Sequence, residues 1–146
     1  MLLWDEIAER FGSAQHWWIG TAGSAGPHAA PIWGVVVNGA LIFYGAPNAV
    51  RSRNISGDSR IVLHLNDPVD VLILHGTAAD AGPVDGRREV TAAYAAKYPD
   101  DGDAEWLPGS PMLEGVRLWA VAPTHAIAWR SGSSDDWVNR RWRSPS

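Results

Sequence analysis

Residues 28–44, HAAPIWGVVVNGALIFY, decide the fold, because two apolar runs flank the dipeptide Asn38-Gly39. Asn-Gly is the strongest short hairpin signal, since both residues tolerate a positive φ. The sequence therefore predicts a strand over 28–37 and a returning antiparallel strand over 41–44. Pro31 marks an edge or a bulge in the first of them.

Further predicted strands lie on both sides of this hairpin along the chain. Consecutive strands joined by short turns favour antiparallel pairing, and closing such a sheet removes its exposed edges. The sequence thus predicts a mainly β fold, either a barrel or a sandwich, with helices beside it. Further strands are expected over 17–21, 60–65, 69–79, 116–121 and 125–130, the last two turning at Pro123-Thr124, and helices over 2–12, 46–57 and 86–98.

Composition limits the class of protein. The chain has 146 residues, 46% of them apolar, which suits one domain over 1–146 with an N-terminal helix over 2–12, a long loop over 99–115 and a C-terminal tail over 131–146.

It has no cysteine, which excludes disulfides and thiolate metal sites. No run approaches ~18 apolar residues, and the start is acidic, so we expect a soluble cytoplasmic protein. The net charge of −4 argues against nucleic acid as a partner.

One candidate binding stretch lies directly after the strand that ends at Tyr44. Arg51 and Arg53 are two residues apart at the start of a short helix. Their guanidinium groups, the Ser52 hydroxyl and the free N–H groups of the first helical turn can converge on one anion, and phosphate is the natural candidate. The alternative is exposed, solubilising charge.

A second candidate stretch is the tail. Arg140, Arg141 and Arg143 surround Trp142, with Trp137 nearby. A cation beside an aromatic ring suits a planar anionic ligand, nucleic acid would use the same side chains, and a frayed basic terminus is the third reading.

Familiar catalytic motifs are absent from the sequence, and no catalytic residue is assigned. The five histidines are scattered; His64 and His75 lie on strands that should pair, but a hydrogen-bonded structural role is favoured over a metal site.

Several short motifs, in this order, resemble the pyridoxamine 5'-phosphate oxidase-like split-barrel family, which includes flavin- and deazaflavin-dependent oxidoreductases. The resemblance covers residues 15–80 and the rest of the chain in outline. It implies an antiparallel split β-barrel of about six to seven strands with flanking helices. The motifs are Gly26-Pro27-His28, Pro31-Ile32-Trp33, Asn38-Gly39, Arg51-Ser52-Arg53-Asn54-Ile55, Val62-Leu63-His64-Leu65, Gly76-Thr77-Ala78, the helix ending Tyr94-Ala95-Ala96-Lys97-Tyr98-Pro99, and Trp129 followed by Arg141-Trp142-Arg143.

The resemblance also implies a homodimer with a cofactor at its interface, either FMN or the deazaflavin coenzyme (factor 420), with haem disfavoured. Arg51 takes the position of the family's phosphate-binding basic residue, and Ala49 stands where the family has a serine. The other implied cofactor contacts are Asn48, Ser52, Arg53 and Asn54 near the phosphate; Pro31, Ile32 and Trp33 at the edge of the ring; Tyr44 and Ala46 beside the ring; and Arg141 and Trp142 reaching the cofactor of the partner subunit.

The function expected on this basis is hydride transfer between the cofactor and a small electron-poor organic substrate. One alternative is a non-catalytic flavin or haem carrier or sensor. The other is a barrel that binds single-stranded nucleic acid through the Arg/Trp tail.

Overall fold

A computed structural model describes residues 1–98, 107–108, 110–113, 115–132 and 139–145, and for residue 112 the backbone only. Three helices and eight strands make up this part of the chain, with one short 3-10 helix at Pro111–Leu113. In chain order they are α1 Trp4–Ser13, β1 Trp17–Gly23, β2 Gly26–Ile32, β3 Gly34–Val37, β4 Ala40–Gly45, α2 Val50–Gly57, β5 Arg60–His64, β6 Asp70–Pro83, α3 Arg88–Lys97, β7 Arg117–Arg130 and β8 Arg140–Arg143.

The strands form one antiparallel sheet with the order β2-β1-β5-β6-β7-β4-β3, and β8 adds to β7 beside this path. The sheet curls into a half-barrel, as the mainly β prediction requires. The seven strands of the continuous path agree with the expected six to seven, and β8 is the strand that was not expected.

The inside of the curl holds the larger hydrophobic core. Trp17, Phe43 and Leu63 are fully buried there, and helix α1 closes it with Ile7 and Phe11, which lie one turn apart on the same face. A second buried cluster forms where α3 packs on β3 and β4. The second cluster consists of Val35, Ile42, Val84, Val90, Tyr94, Tyr98, Leu107 and Leu118.

The single strand expected over 28–37 is wrong, because the chain changes partners at Trp33. Ile32 still pairs with Trp17 of β1, whereas Gly34 already pairs with Phe43 of β4. A Cβ on Gly34 would lie 2.3 Å from the Trp17 ring, so the chain crosses that ring where it carries no side chain.

The turn expected at Pro123-Thr124 is also wrong, since β7 runs without interruption from Arg117 to Arg130. The register passes from His75 opposite His125 to Gly76 opposite Pro123, which leaves Thr124 as the extra residue of a bulge. Proline lacks an N–H group and is tolerated at a bulge. The Thr124 hydroxyl donates to the His75 carbonyl at 3.1 Å and holds the bulge in place.

The tail expected over 131–146 contains a strand, so a frayed terminus is wrong for 140–143. Trp137 and most of the expected loop over 99–115 lie outside the described residues. Among the described residues, no helix is long and apolar enough to span a membrane.

Candidate functional site

The candidate site is centred on the junction between β4 and α2. After Gly45 the chain makes a turn, with Ala49 N–H donating to the Ala46 carbonyl at 3.0 Å, and α2 begins at Val50. Arg51 Nη2 donates back to the Tyr44 carbonyl at 3.3 Å. The residue that precedes the helix, Ala49, has no side chain able to cap it.

This junction is tightly packed. A Cβ on Gly45 would lie 2.9 Å from Ser52 Oγ and 3.6 Å from Arg51 Nε. Glycine therefore lets the end of the strand approach both polar side chains of the first helical turn.

Two polar atoms of this turn have no partner in the described part of the chain. Ser52 is 1% exposed, and neither its Oγ nor the buried Nε of Arg51 makes a hydrogen bond there. Burial lowers the pKa of the Arg51 guanidinium, opposed by the nearby Tyr44 and Tyr94, and an arginine so placed stays cationic. An unsatisfied buried polar group costs about 1–3 kcal/mol, so these atoms and the uncapped N–H groups of α2 suit an oxyanion.

A row of aromatic rings connects this junction to the break between β2 and β3. Trp33 stacks on Tyr98 with ring centroids 5.0 Å apart, and Tyr98 lies 5.8 Å from Tyr94. Tyr94 meets the ring of Tyr44 edge to face at 5.3 Å, and the Tyr44 carbonyl accepts the bond from Arg51. The structure thus links Trp33, Tyr44 and Arg51, three residues singled out from the sequence.

The other members of the 46–54 stretch are placed differently. Ala46, Asn48 and Arg53 are exposed. The Asn54 side chain donates from Nδ2 to Thr21 Oγ1 at 3.0 Å, so it fastens α2 to β1. With the β1–β2 turn, Arg53 and Asn54 line a groove of about 660 Å³.

Pro31 and Ile32 belong to β2. Pro31 is exposed opposite Trp18, whereas Ile32 is buried in the core. A ligand beside this strand would meet the backbone of Ile32 rather than its side chain, as the resemblance implies.

Arg141 and Trp142 lie away from this junction within one chain. Tyr44 pairs with Leu118 and Trp142 with Ala126, eight positions apart on β7. At about 3.3 Å per residue that is roughly 26 Å along the strand. Trp142 packs on Trp4 with ring centroids 5.0 Å apart.

Sequence reasoning did not assign a site role to Tyr94, Lys97 or Tyr98. The Tyr94 hydroxyl donates to the Trp33 carbonyl at 2.8 Å, and Lys97 Nζ donates to the Gly34 carbonyl at 2.6 Å. Burial raises the pKa of both tyrosines and lowers the pKa of Lys97 to about 8. Two signals were available: their spacing, since positions i, i+3 and i+4 share one helix face, and the resemblance of this helix ending to the family.

The histidines form a pair other than the one considered. His75 stacks on His125, its register partner, with centroids 4.5 Å apart and the rings 5° from parallel. His64 stacks on Trp18 instead. Within the described ranges, no group of three or more His, Asp or Glu side chains could hold a metal ion.

Comparison with known proteins identifies the fold. No protein-family model matches the chain, and neither does any curated protein. Among solved structures, it is similar to General Stress Protein 26 from Bacillus anthracis str. Sterne, with a TM-score of 0.68 and 15% identity over 99% of this chain and 100% of that one. It is also similar to a putative pyridoxamine 5'-phosphate oxidase from Listeria innocua, with a TM-score of 0.64 and 13% identity over 89% and 100% of the two chains.

A third similar structure is a heme binding protein from Mycobacterium smegmatis, with a TM-score of 0.67 and 18% identity over 98% of this chain and 59% of that one. Likeness at such identities shows the fold alone. The predicted antiparallel split β-barrel with flanking helices is confirmed.

Proposed function

We propose that this split-barrel chain is a flavin-type oxidoreductase, which binds FMN or the deazaflavin coenzyme and transfers hydride between it and a small electron-poor organic substrate. The observation that carries the proposal is a pair of buried polar atoms at the start of α2, Arg51 Nε and Ser52 Oγ, which have no hydrogen-bond partner among the described residues.

These atoms fit the phosphate of such a cofactor. The Arg51 guanidinium supplies a full positive charge. Ser52 Oγ supplies a hydrogen-bond donor, and a bond to the phosphate would remove the free-energy cost of leaving this buried hydroxyl unsatisfied. The uncapped N–H groups of α2 and the positive end of its dipole act in the same direction. They also offset the missing hydroxyl at Ala49.

The aromatic row would hold the flat ring. Trp33 and Tyr44 present ring surface, and the backbone around Ile32 can hydrogen-bond the edge of a heterocycle. The bound cofactor supplies the hydride chemistry. The chain's own residues bind the phosphate, orient the ring and exclude water from one of its faces.

The proposal includes a homodimer. The outer face of the sheet carries half-buried apolar side chains on neighbouring strands, among them Trp18, Ile73, Ile127 and Trp129. Arg141 lies beside Ile127 on the same face and is exposed. A second copy packed on this face would cover the apolar side chains, and its Arg141 could approach the cofactor of the first.

The test is an absorption titration of the purified protein with FMN and, separately, with the deazaflavin coenzyme. The two rings absorb differently, so the bound one is identified directly. Arg51→Glu should weaken binding by a few kcal/mol, because a repulsive charge replaces an attractive one at the phosphate. The matched control is Arg88→Glu, at an exposed position where α3 begins.

Each outcome has a meaning. Binding with turnover of an electron-poor acceptor supports the proposal. Binding without turnover of any acceptor favours a carrier, and binding of haem but no flavin favours a haem carrier. Equal cofactor affinities of wild type and Arg51→Glu would show that Arg51 does not bind the phosphate.

A further inference from the structure

Helix α3 holds the backbone at the break between β2 and β3. Tyr94, Lys97 and Tyr98 lie at positions i, i+3 and i+4 and therefore share a face. The Tyr94 hydroxyl donates to the Trp33 carbonyl at 2.8 Å, and Lys97 Nζ donates to the Gly34 carbonyl at 2.6 Å.

Tyr98 completes the arrangement. Its hydroxyl accepts the Gly34 N–H at 3.1 Å and lies 2.7 Å from the Gln15 carbonyl and 3.0 Å from the Gly34 carbonyl, to which it can donate its proton. Because Trp33 lies between two strands, buried backbone groups there need partners from elsewhere. Side chains of one helix supply them.

The same helix fixes the plane of the Trp33 indole. The Tyr98 ring stacks on it with centroids 5.0 Å apart and planes 10° from parallel. Tyr94 and Tyr98 are 0% and 3% exposed, so neither ring can move without disturbing the second core cluster. Backbone and indole are thus held by one rigid element.

Lys97 is the only lysine in the chain, and it is half-buried. Its Nζ lies 5.1 Å from the centroid of the Trp17 ring, 5.3 Å from that of Tyr98 and 3.4 Å from the Phe11 carbonyl. An apolar side chain of similar length would fill this space without the free-energy cost of removing an ammonium group from water. What lysine adds is a charge-assisted bond to the Gly34 carbonyl and attraction to two ring faces.

We propose that Tyr94, Lys97 and Tyr98 form a positioning clamp: by holding the backbone of Gly34 and the ring of Trp33, they preset the Trp33 indole and the adjoining backbone of Ile32 to receive a planar heteroaromatic ring. This clamp rests on the proposed function, because the ring is that of the flavin-type cofactor. Because this segment is already ordered in the free protein, binding does not carry the entropic cost of ordering it. The cofactor therefore binds more tightly by that free energy.

The test compares two ligands that share a ring. Affinities for FMN and for riboflavin, which lacks the phosphate, are measured in wild type, Lys97→Met, Tyr98→Phe and Ser52→Ala, at a temperature where circular dichroism shows each variant folded. We expect Lys97→Met to weaken both ligands by the same factor, about 3- to 30-fold, and Tyr98→Phe to do so less strongly. Ser52→Ala, which alters only the phosphate contact, should weaken FMN alone.

Lys97→Arg provides the rescue, since it keeps a charged donor, and should bind within about threefold of wild type. A side chain that only stabilises the fold would leave the affinity of the folded protein unchanged. Unchanged riboflavin and FMN affinities in both Lys97→Met and Tyr98→Phe therefore overturn the clamp.

A second measurement needs no cofactor. The indole N–H resonance of Trp33, assigned with Trp33→Phe, should shift or broaden in Lys97→Met, while that of Trp119, buried in the other cluster, should not. A Trp33 resonance unaffected by Lys97→Met and Tyr98→Phe overturns the clamp. Wild type that binds neither a flavin nor the deazaflavin coenzyme overturns the proposed function; a Trp33 resonance that still responds would then show only that α3 holds the Trp33 indole, with no ring for the clamp to receive.

Discussion

Gly34 shows how one residue decides a strand break. It begins β3 directly beneath the Trp17 ring, whose indole is fully buried and donates to the Phe11 carbonyl at 2.8 Å. Neither the ring nor the backbone has room to move, so any side chain at this position must displace the core.

Gly34→Ala should therefore lower the free energy of unfolding by about 1–3 kcal/mol, the usual cost of overpacking. The control is Gly57→Ala at the end of α2, where a Cβ would meet nothing within 4 Å. That change should be neutral or stabilise by up to about 1 kcal/mol. Urea denaturation measures both, and a Gly34→Ala variant as stable as wild type contradicts the packing described.

The stacked histidines make stability depend on pH. Burial, then the neighbouring His75 and Arg143, lower the pKa of His125. The unfolded chain thus binds a proton more readily than the folded one, so the contribution is fully present above the ordinary histidine pKa of about 6.5 and is lost as the pH falls from there through the lower pKa of the folded state.

We expect the thermal midpoint to fall between pH 7.5 and 5.5, and to fall less in His125→Gln. This window lies above the titration of ordinary carboxylates, which separates the two effects. Equal decreases in wild type and variant would show that His125 does not carry the dependence.

At the scale of elements, β8 is the strand that the sequence did not predict. It holds Trp142 against Trp4, and Arg140 forms a bidentate ion pair with Glu6 of α1 at 2.6 and 3.0 Å. Burial and strand pairing hold the chain's end, while Arg141 stays exposed. The two residues assigned to the cofactor from the tail therefore have different roles within the chain.

Trp142→Ala should lower the free energy of unfolding by about 1–3 kcal/mol, less than a fully buried tryptophan because Trp142 is only half-buried. Arg141→Gln should change stability by no more than about 0.5 kcal/mol yet weaken cofactor binding, if the partner's arginine reaches the ring. Urea denaturation of both variants measures the stability changes, and titration with the cofactor measures the affinities. Wild-type cofactor affinity in Arg141→Gln would show that the tail does not contribute to the site.

Local signals predicted part of these elements and missed the rest for physical reasons. Asn38-Gly39 specified its hairpin because the required backbone angles are properties of those two residues, and Asn38 has φ 51°. Arg51 and Ser52 were predicted because a basic and a hydroxyl side chain at the start of a helix lie beside its free N–H groups, which is a local pattern. The partners of Pro123 and Trp33 depend on residues 47 and 61 or more positions away, Gly76 and Tyr94, which no local pattern reveals.

At the scale of the whole molecule, the outer face of the sheet is where the proposed dimer would form. Ile73 lies between His64 and Ile127 in the register, and all three side chains are half-buried on that face. A pocket completed by a second subunit would also explain why the tail and the α2 junction lie far apart in one chain.

The protein should therefore sediment at twice the 15.8 kDa of the chain, and Ile73→Glu should shift it toward the monomer, since a charge buried at an interface is strongly disfavoured. Val69→Glu, at a position 51% exposed, is the control. Wild type that sediments as a monomer at micromolar concentration contradicts the dimer.

The most direct test of the account is the affinity for the cofactor that the absorption titration selects, compared with the affinity for the same molecule without its phosphate. Wild type should bind the phosphorylated form at least about tenfold more tightly, and Arg51→Gln should remove most of that difference, because hydrogen bonds to a charged group are worth about 1.5–3 kcal/mol. Equal affinities of wild type for the two forms would show that Arg51 and Ser52 do not hold a phosphate.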